Sequence, residues 1–190
     1  MRTPLVGNKR LFFALDINKY DKANINQWRE ETLRLPYKAI AKDNFHITLS
    51  FIGTADSATQ VPLIEGAHAI FRGFEQRYIN YTRKTLSIDT VELFKKPKVA
   101  YLSFQSKPTW LAVLAKDFKL LAKKLNIYQE DRAYCPHISI YRKAVDLPSD
   151  LPALSPALTK PIEIDSFSLY ESVSTPDGVK YTPIKSWQFN

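Results

Sequence analysis

"DNFHITLSFIG" runs from Asp43 to Gly53, and "YCPHISIYR" runs from Tyr134 to Arg142. In both stretches apolar residues alternate with hydroxyl residues after a histidine, the period of a strand buried on one face. His46 and His137 stand ninety-one residues apart and are two of only three histidines in the chain. Side chains on a strand alternate between its faces. His46, Thr48 and Ser50 are therefore expected on one face, with Ile47, Leu49 and Phe51 on the other. The same parity puts His137, Ser139 and Tyr141 together, opposite Ile138 and Ile140.

The segments around these stretches also repeat. "RLFFALD" (Arg10 to Asp16), a helical segment and "HITLSF" are answered by "VAYLSFQ" (Val99 to Gln105), a helical segment and "HISIYR". A shift of ninety-one carries Leu11 onto Leu102, Phe13 onto Phe104 and His46 onto His137. This order reads as an internal duplication, in which two β-rich halves each bring one histidine strand to a shared central cleft. The fold class predicted is α+β, with antiparallel sheets flanked by helices, and residues 1–190 form a single domain of two pseudo-symmetric lobes.

Three helices are expected. Ile25, Trp28, Thr32 and Leu35 recur at helical spacing from Tyr20 until Pro36 closes the segment. Ser57 and Gln60 suggest a capping box for a second helix through Leu63, Ala67, Ile70 and Phe71. After Pro108, Leu111, Leu114, Phe118, Leu121 and Leu125 share one face. Strands are expected within Tyr78 to Leu93, a proline-rich connection (Pro148, Pro152, Pro156, Pro161) reads as an ordered surface loop, and Asp177-Gly178 marks a terminal hairpin.

Composition narrows the function classes. The formal charge is +8 and aromatics make up 13%, which suits a surface that tracks phosphates and stacks bases. No apolar run approaches the roughly 18 residues of a membrane span, and the opening residues lack the h-region of a secretory leader. The lone Cys135 allows neither an internal disulfide nor a cysteine-based zinc site, and a reducing cytoplasm is expected. The protein is expected to be a monomer without membrane association.

Each histidine strand presents an imidazole and a hydroxyl two residues apart, roughly 6–7 Å along the strand. That spacing suits one tetrahedral anion, with the hydroxyl on a non-bridging oxygen and the imidazole on the oxygen entering or leaving. Two histidines without a metal can divide acid and base work on a phosphodiester, one neutral and one protonated at the same pH. Arg142 is the natural phosphate cation because guanidinium binds phosphate oxygens bidentately. Strict alternation, however, places it opposite His137. Phe13 and Tyr141 are the candidate nucleoside contacts: one of Phe12 and Phe13 must face the core, and the repeat favours Phe13 for the cleft. "FKKPK" (Phe94 to Lys98) is a possible basic rim, His68 reads as structural, and Tyr181 and Trp187 as core or edge residues of the final hairpin.

His46-Ile-Thr48-Leu and His137-Ile-Ser139-Ile resemble the two H-x-[ST]-x signatures of the 2H phosphoesterase superfamily. More narrowly, "RLFFALDI", "DNFHITLSFIG", "PHISIYR" and the ending "LYESVSTPDGVKYTPIKSWQF" resemble the bacterial RNA 2′,3′-cyclic phosphodiesterases, also called 2′-5′ RNA ligases, over nearly the whole chain. The resemblance implies metal-independent, cofactor-free hydrolysis of RNA 2′,3′-cyclic phosphate ends, or of nucleoside 2′,3′-cyclic phosphates, to 2′-phosphomonoesters. It also implies possible joining of such ends to 5′-hydroxyls. It makes His46 the general acid and His137 the general base, with Thr48, Ser139 and Arg142 holding the phosphate. The alternatives are a phosphodiesterase acting on 2′-5′ oligonucleotides or small cyclic nucleotides, and a non-catalytic RNA-end binding module.

Overall fold

The structure, a computed structural model, describes residues 9–79, 83–176 and 178–190. The expected leader-free start, part of the Tyr78–Leu93 segment and Asp177 of the hairpin turn lie outside them. The first half supplies β1 (Lys9–Asp16), α1 (Lys19–Trp28), β2 (Lys38–Ala39), β3 (His46–Ala55) and α2 (Ser57–Arg77). There follow β4 (Thr85–Leu86), β5 (Ile88–Phe94), β6 (Val99–Phe104), α3 (Thr109–Lys124), β7 (Ile138–Arg142), β8 (Ile162–Glu163), β9 (Ser166–Thr175) and β10 (Gly178–Gln188).

One eight-stranded sheet carries the fold, in the order β10-β9-β1-β3-β7-β6-β5, with β2 also on β7. Every pairing is antiparallel. The two histidine strands meet at the centre, where Ile47 pairs with Ile138. Flanking them, Leu15 pairs with Ile47 and Leu102 with Ile138. The counterpart of Leu102 is therefore Leu15, not the Leu11 that a uniform shift predicts. The repeat holds for the histidine strands, but the intervening segments differ in length, so a single offset cannot align both pairs.

Helices cover one face of the sheet. Phe118 of α3 stacks on Phe13 of β1 at 4.3 Å and meets Phe167 of β9 edge-on at 5.2 Å, and Trp110, Leu111, Leu114 and Phe118 are fully buried. The α3 face thus forms as its spacing predicts, with Leu121 and Leu125 packed at its margin. Gly66 of α2 lies so close to Leu121 that a Cβ would come within 2.3 Å of it, which lets the two helices approach. The expected capping box is replaced: Asp56, not Ser57, is the N-cap, accepting from the Thr59 N–H at 2.8 Å. A carboxylate at the helix start gains from the macrodipole as well as the hydrogen bond. The first helix is shorter than its apolar spacing suggests. It loosens into a wide turn over Arg29–Leu33 and ends at Arg34 in the left-handed region. The proline-rich connection holds Leu158 in the core, and the Ala153 carbonyl accepts from the Trp28 indole at 3.0 Å.

Candidate active site

The face of the sheet away from the helices carries the histidines. On the antiparallel register set by Ile47 and Ile138, His46 falls across from Ser139 and Thr48 across from His137. Ile47 and Ile138 are fully buried beneath them, so apolar packing on one face aims both imidazoles out of the other.

The two rings are held in the same way. His46 Nδ1 donates to the Asn44 carbonyl at 2.6 Å, and His137 Nδ1 donates to the Cys135 carbonyl at 2.8 Å. Each acceptor lies two residues before its histidine. With the proton on Nδ1, Nε2 of each neutral ring keeps a lone pair for the cleft. His46 Nε2 accepts from the Thr48 hydroxyl at 3.0 Å. Asn44 is in turn fixed by the last strand, donating to the Val179 carbonyl at 2.6 Å and accepting from the Tyr181 N–H at 3.2 Å. These carbonyl partners have no sequence signature, because any residue supplies a carbonyl.

A bulge settles the placement of Arg142. On β7 Ser139 pairs with Tyr101, but the next pair is Tyr141 with Ala100, leaving Ile140 unpaired against β6. The extra residue reverses parity, as bulges do. Arg142 therefore shares the cleft face with Ser139, and Tyr141 turns inward. Tyr141 is 4% exposed, and its hydroxyl accepts from the Leu35 N–H at 3.2 Å. It is a core residue and not the nucleoside contact that alternation predicts. Arg142 is exposed and donates to the Tyr181 hydroxyl at 3.0 Å.

Arg29, buried beneath this bulge, holds its carbonyl. Its guanidinium donates to the Ile140 carbonyl at 3.2 Å and to the Ile40 carbonyl, with a further bond to Asn26 at 2.7 Å. A lysine cannot span both carbonyls in one plane. Arg29→Lys should therefore raise KM for a phosphate-bearing substrate by about tenfold through a displaced Arg142, the scale of one charged hydrogen bond. Combined with Arg142→Lys the two losses should not add, because they act on one contact. Full additivity would leave Arg29 as a packing residue only.

The aromatic lining differs from the predicted one. Phe13 has no exposed surface and packs on Phe118 and Trp187, so it belongs to the core and not to the cleft. Its neighbour Phe12 lies on the histidine face, itself buried beneath the rings there, 4.9 Å from His46 and stacked on Tyr170 at 5.3 Å. Alternation along β1 holds: Leu11, Phe13 and Leu15 share one face and all lie in the core, so the face that the repeat assigns to the cleft is the core face. Tyr181 stands edge-on to His46 at 5.1 Å, although its strand is three places away in the sheet. Asn44, bonded to the Val179 carbonyl and the Tyr181 N–H, ties that strand to the histidine, and no local pattern reveals such a contact. Tyr170 donates to Asp16 at 2.6 Å, and Ser166 and Ser168 donate to the same carboxylate. His137 has its own rings, Phe94 at 4.9 Å and Tyr101 at 5.2 Å. His68 accepts from the Trp187 indole at 3.2 Å, on the side of the core.

Electrostatics follow from this packing. Burial among the rings lowers the His46 pKa to about 4, against the pull of the Asn44 carbonyl, and the charges of His137, Lys22 and Arg142 lower it further. Burial likewise lowers the His137 pKa, with the Arg132 charge adding to the effect. Both imidazoles are thus neutral at pH 7 in a cationic surrounding. An anion placed between them opposes that field and favours protonation.

No family model matches the chain. It is 28% identical over 184 residues to the RNA 2′,3′-cyclic phosphodiesterase of Escherichia coli (strain K12), covering 94% of this chain and 96% of that protein. It is 26% identical over 197 residues to a protein of the same name from Methanocaldococcus jannaschii, covering 94% and 99%. The crystal structure of E. coli LigT complexed with 3′-AMP matches with a TM-score of 0.80 at 25% identity, over 96% of this chain and 98% of that one. A further crystal structure, of a phosphoesterase, matches at 0.77 and 26% identity, over 96% and 98%. The fold matches that of the LigT structures, and with it the α+β fold of the 2H phosphoesterases. The curated relatives and the structural neighbours together support the 2′-5′ RNA ligase-like family of RNA 2′,3′-cyclic phosphodiesterases as the group this chain is similar to.

Proposed function

We propose that this protein hydrolyses RNA 2′,3′-cyclic phosphate ends to 2′-phosphomonoesters without a metal ion, in a single domain built from two pseudo-symmetric halves. The observation that carries the reading is the matched holding of His46 and His137. Each has Nδ1 on a carbonyl two residues back and a hydroxyl residue two positions on, and the two strands are antiparallel neighbours. In-line displacement at phosphorus needs one proton-transfer group on each side of the phosphate, and this arrangement supplies both.

His137 Nε2 takes a proton from water as its oxygen attacks phosphorus. The P–O3′ bond breaks, and protonated His46 Nε2 delivers its proton to O3′, leaving the phosphate on O2′. Thr48 and Ser139 hold non-bridging oxygens, and Arg142 exchanges its bond with Tyr181 for the phosphate. The substrate's own negative charge protonates His46, so the acid is made ready only when a phosphate is present.

Among the described residues no three His, Cys, Asp or Glu side chains gather where they could hold a metal ion, and no helix is long and apolar enough to cross a membrane. The test is to incubate the purified protein, in EDTA, with a short RNA ending in a 2′,3′-cyclic phosphate. Conversion to the 2′-phosphate at an undiminished rate is expected. Binding without turnover would favour an RNA-end binding module, and turnover restored only by added metal would overturn the two-histidine mechanism.

A further inference from the structure

We infer that Lys38 holds the phosphate that joins the terminal nucleotide to the rest of the RNA, so that the cleft favours an RNA end over a free cyclic mononucleotide. This rests on the reading above, in which the cyclic phosphate lies between the histidines with its ribose on the His46 side. The observation is a cross-strand pair of cations. In the register of β2 with β7, Lys38 stands directly opposite Arg142, and Ala39 opposite Tyr141. Residues directly opposite in an antiparallel pair share a face, with Cβ atoms about 5 Å apart. Arg142 faces the cleft, so Lys38 faces it too.

Like charges directly opposite each other cost stability, and nothing nearby offsets this pair. Both side chains are exposed, and among the described residues neither is ion-paired. Arg142 donates to a neutral hydroxyl, that of Tyr181 at 3.0 Å. Asp146 accepts from the hydroxyl of Tyr37, the neighbour of Lys38, and makes no ion pair with the lysine. The strand itself is firmly placed. The Ile40 N–H donates to the Ile140 carbonyl at 3.0 Å, and the buried Arg29 guanidinium bridges the Ile40 and Ile140 carbonyls. Two cations held side by side on a fixed backbone, with no anion of the protein between them, make a seat for phosphates.

The place of β2 in the sheet says which phosphate. β6 takes one edge of β7 from Ile138 to Arg142. The other edge is shared by β3, at Ile138, and β2, at Tyr141 and Arg142. Lys38 therefore lies on the His46 side of Arg142, the side given to the terminal ribose. His46 serves O3′ of that ribose, and the RNA leaves the same ribose through O5′. The next phosphate thus lies on the ribose side of the scissile phosphorus, away from His137 and its attacking water. A phosphodiester there carries one charge and needs no bidentate partner. Lysine, a point charge on a flexible stem, suits it, while the guanidinium fork of Arg142 suits the terminal phosphate.

The test compares three substrates on the wild type, Lys38→Gln and Lys38→Arg. They are 2′,3′-cyclic AMP, adenylyl-(3′→5′)-adenosine 2′,3′-cyclic phosphate, and the same dinucleotide with a neutral methylphosphonate as its internal linkage. Lys38→Gln should shift the ratio of kcat/KM against the charged dinucleotide by about fivefold at low salt, the scale of one well-placed exposed ion pair. The loss should appear mainly in KM, and the slope of log kcat/KM against log salt should become shallower by about 0.7. On the methylphosphonate the wild type and Lys38→Gln should show the same ratio, and Lys38→Arg, which keeps the charge, should keep the wild-type preference. An unchanged ratio overturns the subsite, and so does a shift that persists with the neutral linkage. Equal losses on all three substrates put Lys38 on the cyclic phosphate instead and overturn it as well. Lys38→Gln should unfold no lower than the wild type, because repulsion from Arg142 is gone; a lower midpoint would make Lys38 a structural residue and overturn the inference. A wild type inactive on all three overturns the hydrolytic reading instead. The subsite is then decided by calorimetric binding of the 2′-phosphorylated dinucleotide with either linkage: a preference for the charged linkage that Lys38→Gln loses supports it, and a preference that persists, or none in the wild type, overturns it.

Discussion

His137→Ala should lower the turnover of an RNA 2′,3′-cyclic phosphate by about 10²–10⁴-fold, the usual worth of one general acid or base, while the protein stays folded. The ring is half-buried on the cleft face, and among the described residues its hydrogen bond is to the Cys135 carbonyl. The strand is anchored from the other side by Ile138 and Ile140, both fully buried. Removing the imidazole therefore takes away chemistry rather than core. His46→Ala should cost a similar factor. The double variant should lose little more than either single one, because an acid without its base no longer serves the same displacement. Single-turnover kinetics with a saturating oligonucleotide would measure the chemical step, and circular dichroism would confirm the fold. A His137→Ala protein within tenfold of the wild type would remove this residue from the mechanism. Multiplicative losses in the double variant would show that the two histidines act independently.

Acid should destabilise the wild type more steeply than it destabilises His46→Ala. The folded His46 pKa lies near 4, below the roughly 6.5 of an unfolded histidine. The unfolded chain therefore binds more protons between those values, and stability falls as pH drops from about 6.5 towards 4. Over that window the group accounts for about 3 kcal/mol, at 1.36 kcal/mol per pKa unit. For a chain of this size that corresponds to roughly 6–12 °C in thermal midpoint. His137 is depressed by burial too and adds with the same sign. Midpoints measured from pH 7 to pH 4 should show a shallower slope for His46→Ala. Adding 2′-AMP should flatten the wild-type slope, since a bound phosphate raises the folded pKa of His46. Parallel slopes for wild type and variant would show that the site does not suppress protonation of His46.

Several features were legible in the residues alone. Alternation around His46 and His137 revealed two strands with matched chemistry, and the helix through Phe118 was readable from its spacing. Both signals are local, set by which side chains a strand or helix turns towards water. Alternation failed where the backbone inserts a residue. Arg142 seemed to face away from the cleft and Tyr141 into it, but the bulge at Ile140 exchanges them. Phe13 is different: alternation along β1 holds, with Leu11, Phe13 and Leu15 together in the core, but alternation alone does not say which face meets the core and which the cleft. A bulge is decided by partners on other strands and by Arg29 reaching from the first helix, so no window around Arg142 contains it.

The sequence by itself therefore determined the elements, the core-facing side of most of them and the pair of histidines, because each depends on spacing along one segment. Only the tertiary structure decided which residues surround those histidines. Tyr181 reaches His46 from a strand three places away in the sheet, Asn44 and Cys135 act through carbonyls that every residue possesses, and Arg142 reaches the cleft through a bulge. Those contacts join segments far apart in the chain, and the physics that selects them is packing between elements, which periodicity within a single element does not record.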